Sequence, residues 1–188
     1  MIKRLICTTL LLAGTALTTL AGPILSITPS SNNVQVGNTF SLFLNIAAAT
    51  DLYAWEVDID FGPAGLMDST VIAEGSFLGG GTTFIAGTAD NGTATILALA
   101  NSLNGIVPGV NGGGALAQLS FLANSIGTAT VSLTRIILLD SNLDDIFPDP
   151  SVSATVNITA AGGDVPEPST FILLSLGLAA GAFLRRRA

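Results

Sequence analysis

The chain has 188 residues, 49% of them hydrophobic and only 10% charged, with no histidine, one cysteine and a formal net charge of −7. The absence of histidine removes Ser-His-Asp triads, Cys-His pairs and histidine-ligated metal centres from consideration. The acidic balance opposes binding to nucleic acid and to anionic lipid headgroups.

Residues 1–22 read as a secretory signal peptide, with the basic pair Lys3-Arg4, an apolar stretch from Leu5 to Leu20 and the small residues Ala21 and Gly22 at the exit. An uncleaved N-terminal anchor is the alternative, and either one exports the body of the chain. The only cysteine, Cys7, lies inside this leader behind Arg4-Leu5-Ile6, which lacks the small residues of a lipoprotein cleavage box. The only lysine, Lys3, is there too. The body therefore has no thiol and no amine nucleophile, and its stability must come from packing and hydrogen bonds rather than disulfides.

Residues 23–161 form one domain, long enough for a sizeable core. With Arg135 its only cation against eleven carboxylates, the domain is near −10. Hydrophobic residues recur every second position, the period of a half-buried strand. Phe40, Leu42, Leu44 and Ile46 alternate with Thr39, Ser41, Phe43 and Asn45; Trp55, Val57, Ile59 and Phe61 alternate with Ala54, Glu56, Asp58 and Asp60. Further strands are predicted at 93–100, 115–123, 128–139 and 152–160, the last with Val152, Ala154, Val156 and Ile158 on one side. Shorter ones are predicted at 24–28, 34–36, 70–73 and 82–86. Clusters of glycine, asparagine and serine at 30–33, 62–65, 79–81, 90–92, 111–114 and 124–127 supply turns between them. Nine or ten short strands without a helix indicate an all-β, two-sheet antiparallel sandwich.

Two acidic groups invite chemistry. Glu56, Asp58 and Asp60 share one strand face at about 6–7 Å from neighbour to neighbour, a spacing that glycoside hydrolases use, although an exposed acidic strand face is usually just solvated. Asp140, Asn142 and Asp144 open like a calcium loop, in which every second residue turns an oxygen inward. The sixth position is then Asp145 rather than glycine, and the twelfth Ser151 rather than glutamate, so a metal-free polar loop ahead of Pro148 and Pro150 is the expected reading and calcium the alternative. The stretch Ser102 to Gly114 reads as a long loop whose Ile106, Val107 and Val110 either tuck over the open end of the sandwich, the expected arrangement, or meet a partner.

Residues 162–188 form a different kind of segment. Val165-Pro166-Glu167-Pro168 precedes a predicted transmembrane stretch at 169–184, which is short of the roughly 20 residues a spanning helix needs. Arg185-Arg186-Arg187 then form a basic stop, which holds this end on the cytoplasmic side and places the domain across the membrane. Triplet, span and arginines in this order resemble the PEP-CTERM sorting signal of Gram-negative bacteria. That resemblance implies processing by an exosortase, transient residence in the inner membrane, and display at the cell surface or in an exopolysaccharide or biofilm matrix.

A second resemblance covers most of the domain. Ile24 to Thr28, Val34-Gln35-Val36-Gly37, Phe40 to Ile46, Leu52 to Phe61, Val71 to Leu78 and Ala115 to Phe121 ahead of Gly127 look like the successive strands of a cohesin domain. It implies a nine-stranded jelly roll that binds a protein partner on a sheet face, dockerin modules being the known ligands. The expectation is a non-enzymatic, exported binding module for an extracellular protein, with no cofactor unless calcium occupies the Asp140 loop. Carbohydrate binding through Tyr53 and Trp55, the only Tyr and Trp, is the alternative. A structural matrix protein and a hydrolase using Glu56 with Asp58 or Asp60 are further ones. A calcium loop predicts that millimolar calcium raises the melting temperature and EDTA reverses the rise; a polar loop predicts no shift.

Overall fold

The computed structural model describes residues 22–161, which contain twelve strands and no helix. The predicted signal peptide but for Gly22, and the whole segment from residue 162, lie outside the described residues. The strands are β1 (Ile24–Pro29), β2 (Asn33–Gln35), β3 (Thr39–Leu52), β4 (Ala54–Asp60), β5 (Met67–Glu74), β6 (Thr82–Ile85), β7 (Thr88–Asp90), β8 (Thr95–Leu103), β9 (Val110–Ala123), β10 (Gly127–Leu139), β11 (Asp149–Val152) and β12 (Ala154–Thr159). They form two facing sheets. The smaller has the order β11-β1-β3-β9-β5; the larger has the order β2-β12-β10-β4-β8-β6, with β7 also paired to β8.

The expected sandwich is present, but it is not wholly antiparallel. β1 pairs with β11, and β2 with β12, in parallel. Both pairs arise where the chain changes sheets: β1 lies in the smaller sheet and β2 in the larger, and β11 and β12 divide in the same way. The run predicted as one strand at 152–160 is therefore cut at Ser153. Alternation shows which side of a strand is buried but not which sheet it joins.

Each inward face is the alternating apolar set. Leu42, Leu44, Trp55, Val57, Ile59, Phe61, Val156 and Ile158 are all buried. At the centre Phe121 of β9 meets Phe61 edge-on at 5.1 Å and stacks on Phe40 at 5.8 Å. The smaller sheet is tied to the larger at one side by Glu74 of β5, which accepts hydrogen bonds from the Thr82 hydroxyl and, at 2.8 Å, from Asn101, the one buried polar side chain among the described residues.

The long loop expected at 102–114 is much shorter, spanning 104–109. Its second half is strand, because β9 begins at Val110 and runs through Gly112, Gly113 and Gly114. These glycines face a bulged stretch of β3, where Ala48 and Asp51 have φ of 55° and the register shifts twice. A Cβ on Gly113 would lie 2.8 Å from the Ile46 carbonyl oxygen, so the missing side chain admits the bulge. Ile106 and Val107 do not tuck over the end: Ile106 is fully exposed, and only Val110 packs against the core. A short loop fixed at Gly105 by the Tyr53 hydroxyl (2.6 Å) and at Gly109 by Asp51 (2.7 Å) cannot fold back.

Because Phe121 lies at the inter-sheet aromatic contact, Phe121→Ala should lower unfolding free energy by about 3–5 kcal/mol with an unchanged m-value, measured by chemical denaturation.

Candidate functional site

The larger sheet presents an outward face that is apolar where solvent-exposed strands are normally polar. Register places Ile137, Glu56, Ala100 and Ile85 in one row across β10, β4, β8 and β6, and Leu139, Ala54, Ser102 and Thr83 in the next. The small side chains Ala54, Ala100 and Ser102 form a floor, and Ile137, Leu139, Ile85 and Thr83 rise around it. The result is a shallow depression of about 210 Å³. Ile85 is 54% exposed, and Leu97, also outward-facing on β8, is 50% exposed.

Polar groups flank this apolar floor. Arg135 donates to Glu56 at 2.6 Å and lies 3.6 Å from Asp58. The other Asp58 oxygen accepts the Ala98 amide at 2.7 Å, where β8 bulges with φ of 55°. Asp60 accepts the Gly62 amide at 2.9 Å. The three carboxylates share a face as expected, but each already has a donor. An exposed ion pair of this kind contributes about 0–1 kcal/mol to stability, so its greater effect is on what can approach.

The two aromatic residues do not form an exposed platform, since one is buried and the other is half-buried. Trp55 is buried at 2% exposure in β4, and Tyr53 lies between β3 and β4 with its ring against the core and its hydroxyl committed to Gly105.

In the predicted calcium loop, one oxygen of Asp140 accepts the backbone amides of Asn142 (2.8 Å) and Asp144 (2.9 Å), and the Asp140 amide donates to the Asp144 carbonyl. Asp140 thus closes the turn from inside. No group of three or more carboxylates, histidines or cysteines among the described residues is arranged to hold a metal.

A residue the sequence did not single out organises the same end of the domain. Asp51 accepts the Gly109 amide (2.7 Å) and the Ser141 hydroxyl (2.7 Å) and amide (3.3 Å), while its own amide donates to Asn111 (2.8 Å). It joins the β3–β4 corner, the 104–109 loop and the loop after β10. The Ser141 hydroxyl first, then the Gly109 amide, hold its carboxyl below the ordinary aspartate value, against an opposing effect of desolvation. Asp90 is lowered likewise, chiefly by the Thr93 hydroxyl and then by the Gly92 amide.

The sequence did carry a signal for the depression. Ile136-Ile137-Leu138-Leu139 is apolar at every position, and Leu97-Ala98-Leu99-Ala100 nearly so. Such runs mark strands with both faces covered.

Comparison with known proteins fits both halves of the chain. Residues 164–187 match the PEP-CTERM protein-sorting motif. The domain is similar in structure to a non-cellulosomal cohesin from the hyperthermophilic archaeon Archaeoglobus fulgidus (TM-score 0.59, 13% identity, 74% of this chain and 93% of that one). The chain carries a PEP-CTERM sorting motif behind a domain of cohesin fold. It is also similar to the matched chain of a type II cohesin–X-dockerin complex from Acetivibrio cellulolyticus (TM-score 0.63, 15% identity, 73% and 99% covered). A third similar chain comes from a type I cohesin–dockerin complex of Clostridium thermocellum (TM-score 0.58, 10% identity, 72% and 99% covered). At these identities the likeness is one of fold. No curated protein sequence matches the chain. The sorting motif implies an exported precursor with exosortase processing.

Because the Asp51 carboxyl is lowered in the folded state, its contribution is fully present above the ordinary aspartate value of about 3.9 and is lost as pH falls below it. Asp51→Asn should melt below the wild type at neutral pH, and the gap should narrow as pH falls below about 3.9. A gap constant with pH would show that the carboxylate charge is not what holds the loops.

Proposed function

We propose that the chain is an exported, exosortase-sorted protein of the cell envelope or extracellular matrix, whose domain binds a protein partner on the outward face of β10-β4-β8-β6. The observation that carries this reading is the depression floored by Ala54, Ala100 and Ser102, open to solvent and flanked by the Glu56–Arg135–Asp58 group. A concave apolar centre with a polar flank is the usual anatomy of a protein interface. Two of the similar structures are complexes with dockerins, which supports a protein partner of that kind. The domain's charge near −10 favours a partner with a basic rim, drawn in electrostatically and held by apolar contact.

Placement supports the same reading. The last described residues, Ala160 and Ala161, lie beside Val36 and Ile126 at one pole of the sandwich. β10 runs from Gly127 near that pole to Leu139 beside the depression, a distance of roughly 35–40 Å at about 3.3 Å per residue. The sorting segment follows Ala161, so the docking face lies toward the pole remote from it.

The residues present do not support catalysis. The domain has no histidine, cysteine or lysine, and its paired carboxylates are engaged by Arg135 and backbone amides.

Two measurements test the two halves of this reading. Intact mass and fractionation of the native protein, with and without the exosortase, should show loss of residues up to about 22 and from about 166, in the surface or medium fraction. Retention of Arg185 to Arg187 in the inner membrane irrespective of the exosortase would overturn the sorting half. Immobilised wild-type domain should retain an extracellular partner that Ile137→Glu and Ile85→Glu lose, with capture weakening as salt rises. Equal retention by wild type and variants, or retention of polysaccharide instead, would overturn the docking half.

A further inference from the structure

The domain contains three asparagine–glycine steps, Asn91-Gly92, Asn104-Gly105 and Asn111-Gly112. Such a step is open to self-modification, because glycine puts no Cβ in the way of its own amide nitrogen attacking the preceding side chain. The nitrogen bonds to the asparagine Cγ, the Cγ–Nδ2 bond breaks, and ammonia leaves carrying the displaced proton. Water then opens the resulting succinimide at one of its two carbonyls, giving aspartate or isoaspartate. Nothing is oxidised, and water is the only co-reactant.

The fold grades the three steps very differently. Asn91 is fixed through both ends of its amide, its oxygen accepting the Ser69 amide at 2.8 Å and its nitrogen donating to the Ser69 carbonyl at 3.4 Å. The attacking nitrogen there is also committed, since Gly92 donates to Asp90 at 2.8 Å. Asn111 lies within β9, opposite the bulge of β3, and its oxygen is held by the Asp51 amide at 2.8 Å. Extended backbone in a ladder keeps the next nitrogen away from Cγ.

Asn104 also has its side-chain oxygen bonded, but its side-chain nitrogen, the next amide and its backbone are not held in these ways. It follows the last residue of β8, and both it and Gly105 are exposed. Gly105 has φ of 84°, and its amide has no hydrogen-bond partner among the described residues. The Asn104 side-chain nitrogen, the leaving group, also lacks a partner among them. The side-chain oxygen accepts the Thr83 hydroxyl at 2.7 Å. That bond draws electron density from Cγ and favours the charge that develops on the oxygen during attack.

We propose that Asn104 is a spontaneous deamidation site, converted in the folded protein ahead of Asn91 and Asn111. Its position gives the change a consequence. Thr83 lines the depression on the larger sheet, and conversion puts a new carboxylate beside it. The isoaspartate form also inserts one more carbon into the backbone next to Gly105, whose carbonyl is held by Tyr53 at 2.6 Å. The proposal stands on these contacts whether or not the depression docks a partner.

The test is a time course of the purified protein in mildly alkaline buffer, followed by digestion and peptide mass mapping, with the denatured chain as reference. The denatured chain should convert all three sites at similar rates. The folded protein should gain one mass unit in the Asn104 peptide severalfold sooner than in the other two, with isoaspartate the larger product. Thr83→Val should slow that gain severalfold, and Asn104→Gln should abolish it. The proposal falls if Asn91 or Asn111 converts as fast as Asn104 in the folded protein. It falls equally if Asn104 stays intact while the denatured chain converts.

Discussion

The apolar contact between the two sheets, centred on Phe121 of β9 against Phe61 just past the end of β4, with Phe40 stacked beside Phe121 in its own sheet, is what the rest of the domain depends on. The domain has no cysteine, and the ion pairs of its one cation, Arg135, join neighbouring strands of one sheet rather than the two sheets. The sheets are bonded internally by their own ladders, but they are joined to each other mainly by side chains interdigitating across about 10 Å. Each fully buried residue such as Leu42, Val57 or Leu119 contributes about 1.5–3 kcal/mol. Polar links such as Glu74 to Asn101 then fix how the sheets sit at one edge.

That contact also sets the outward face. With Trp55, Leu99 and Leu138 directed into the core, the pleat leaves Glu56, Ala100 and Ile137 pointing to solvent. Four strands lying side by side then turn isolated residues, far apart in the chain, into one depression. The same construction positions the loops at that pole. Asp51, on the bulge of β3, gathers Gly109 and Ser141, and Tyr53 holds Gly105. The rim of the candidate docking face is thus held by a few specific hydrogen bonds, whereas its floor is held by the core.

The two ends of the chain's biology are divided along its length. The tail is an address: its triplet, apolar run and arginines act through local composition and need no fold to be read. The domain is read by shape, and its features appear only when strands from β4 to β10 are assembled. Fold and address are therefore separable, which is why a sorting motif of 24 residues and a domain at 10–15% identity to cohesins each remain recognisable.

Much was legible in the sequence because burial has a local period. Alternation at Phe40 to Ile46 and Trp55 to Phe61 established strands, their buried sides and an all-β sandwich, and the absence of histidine and the placement of Cys7 and Lys3 excluded whole classes of chemistry. What alternation does not encode is the partner of each strand. The parallel pairing of β1 with β11 and β2 with β12, the break at Ser153, and the use of Gly112 to Gly114 as strand rather than turn all depend on contacts distant in sequence. Asp51 looked like one more surface carboxylate until folding brought Gly109, 58 residues away, and Ser141, 90 residues away, to its oxygens. The sequence by itself determined which alternating residues are inside and that the chain carries a sorting motif. Only the tertiary structure decided which outward residues share a surface, because neighbourhood across a sheet is a property of register and not of order along the chain.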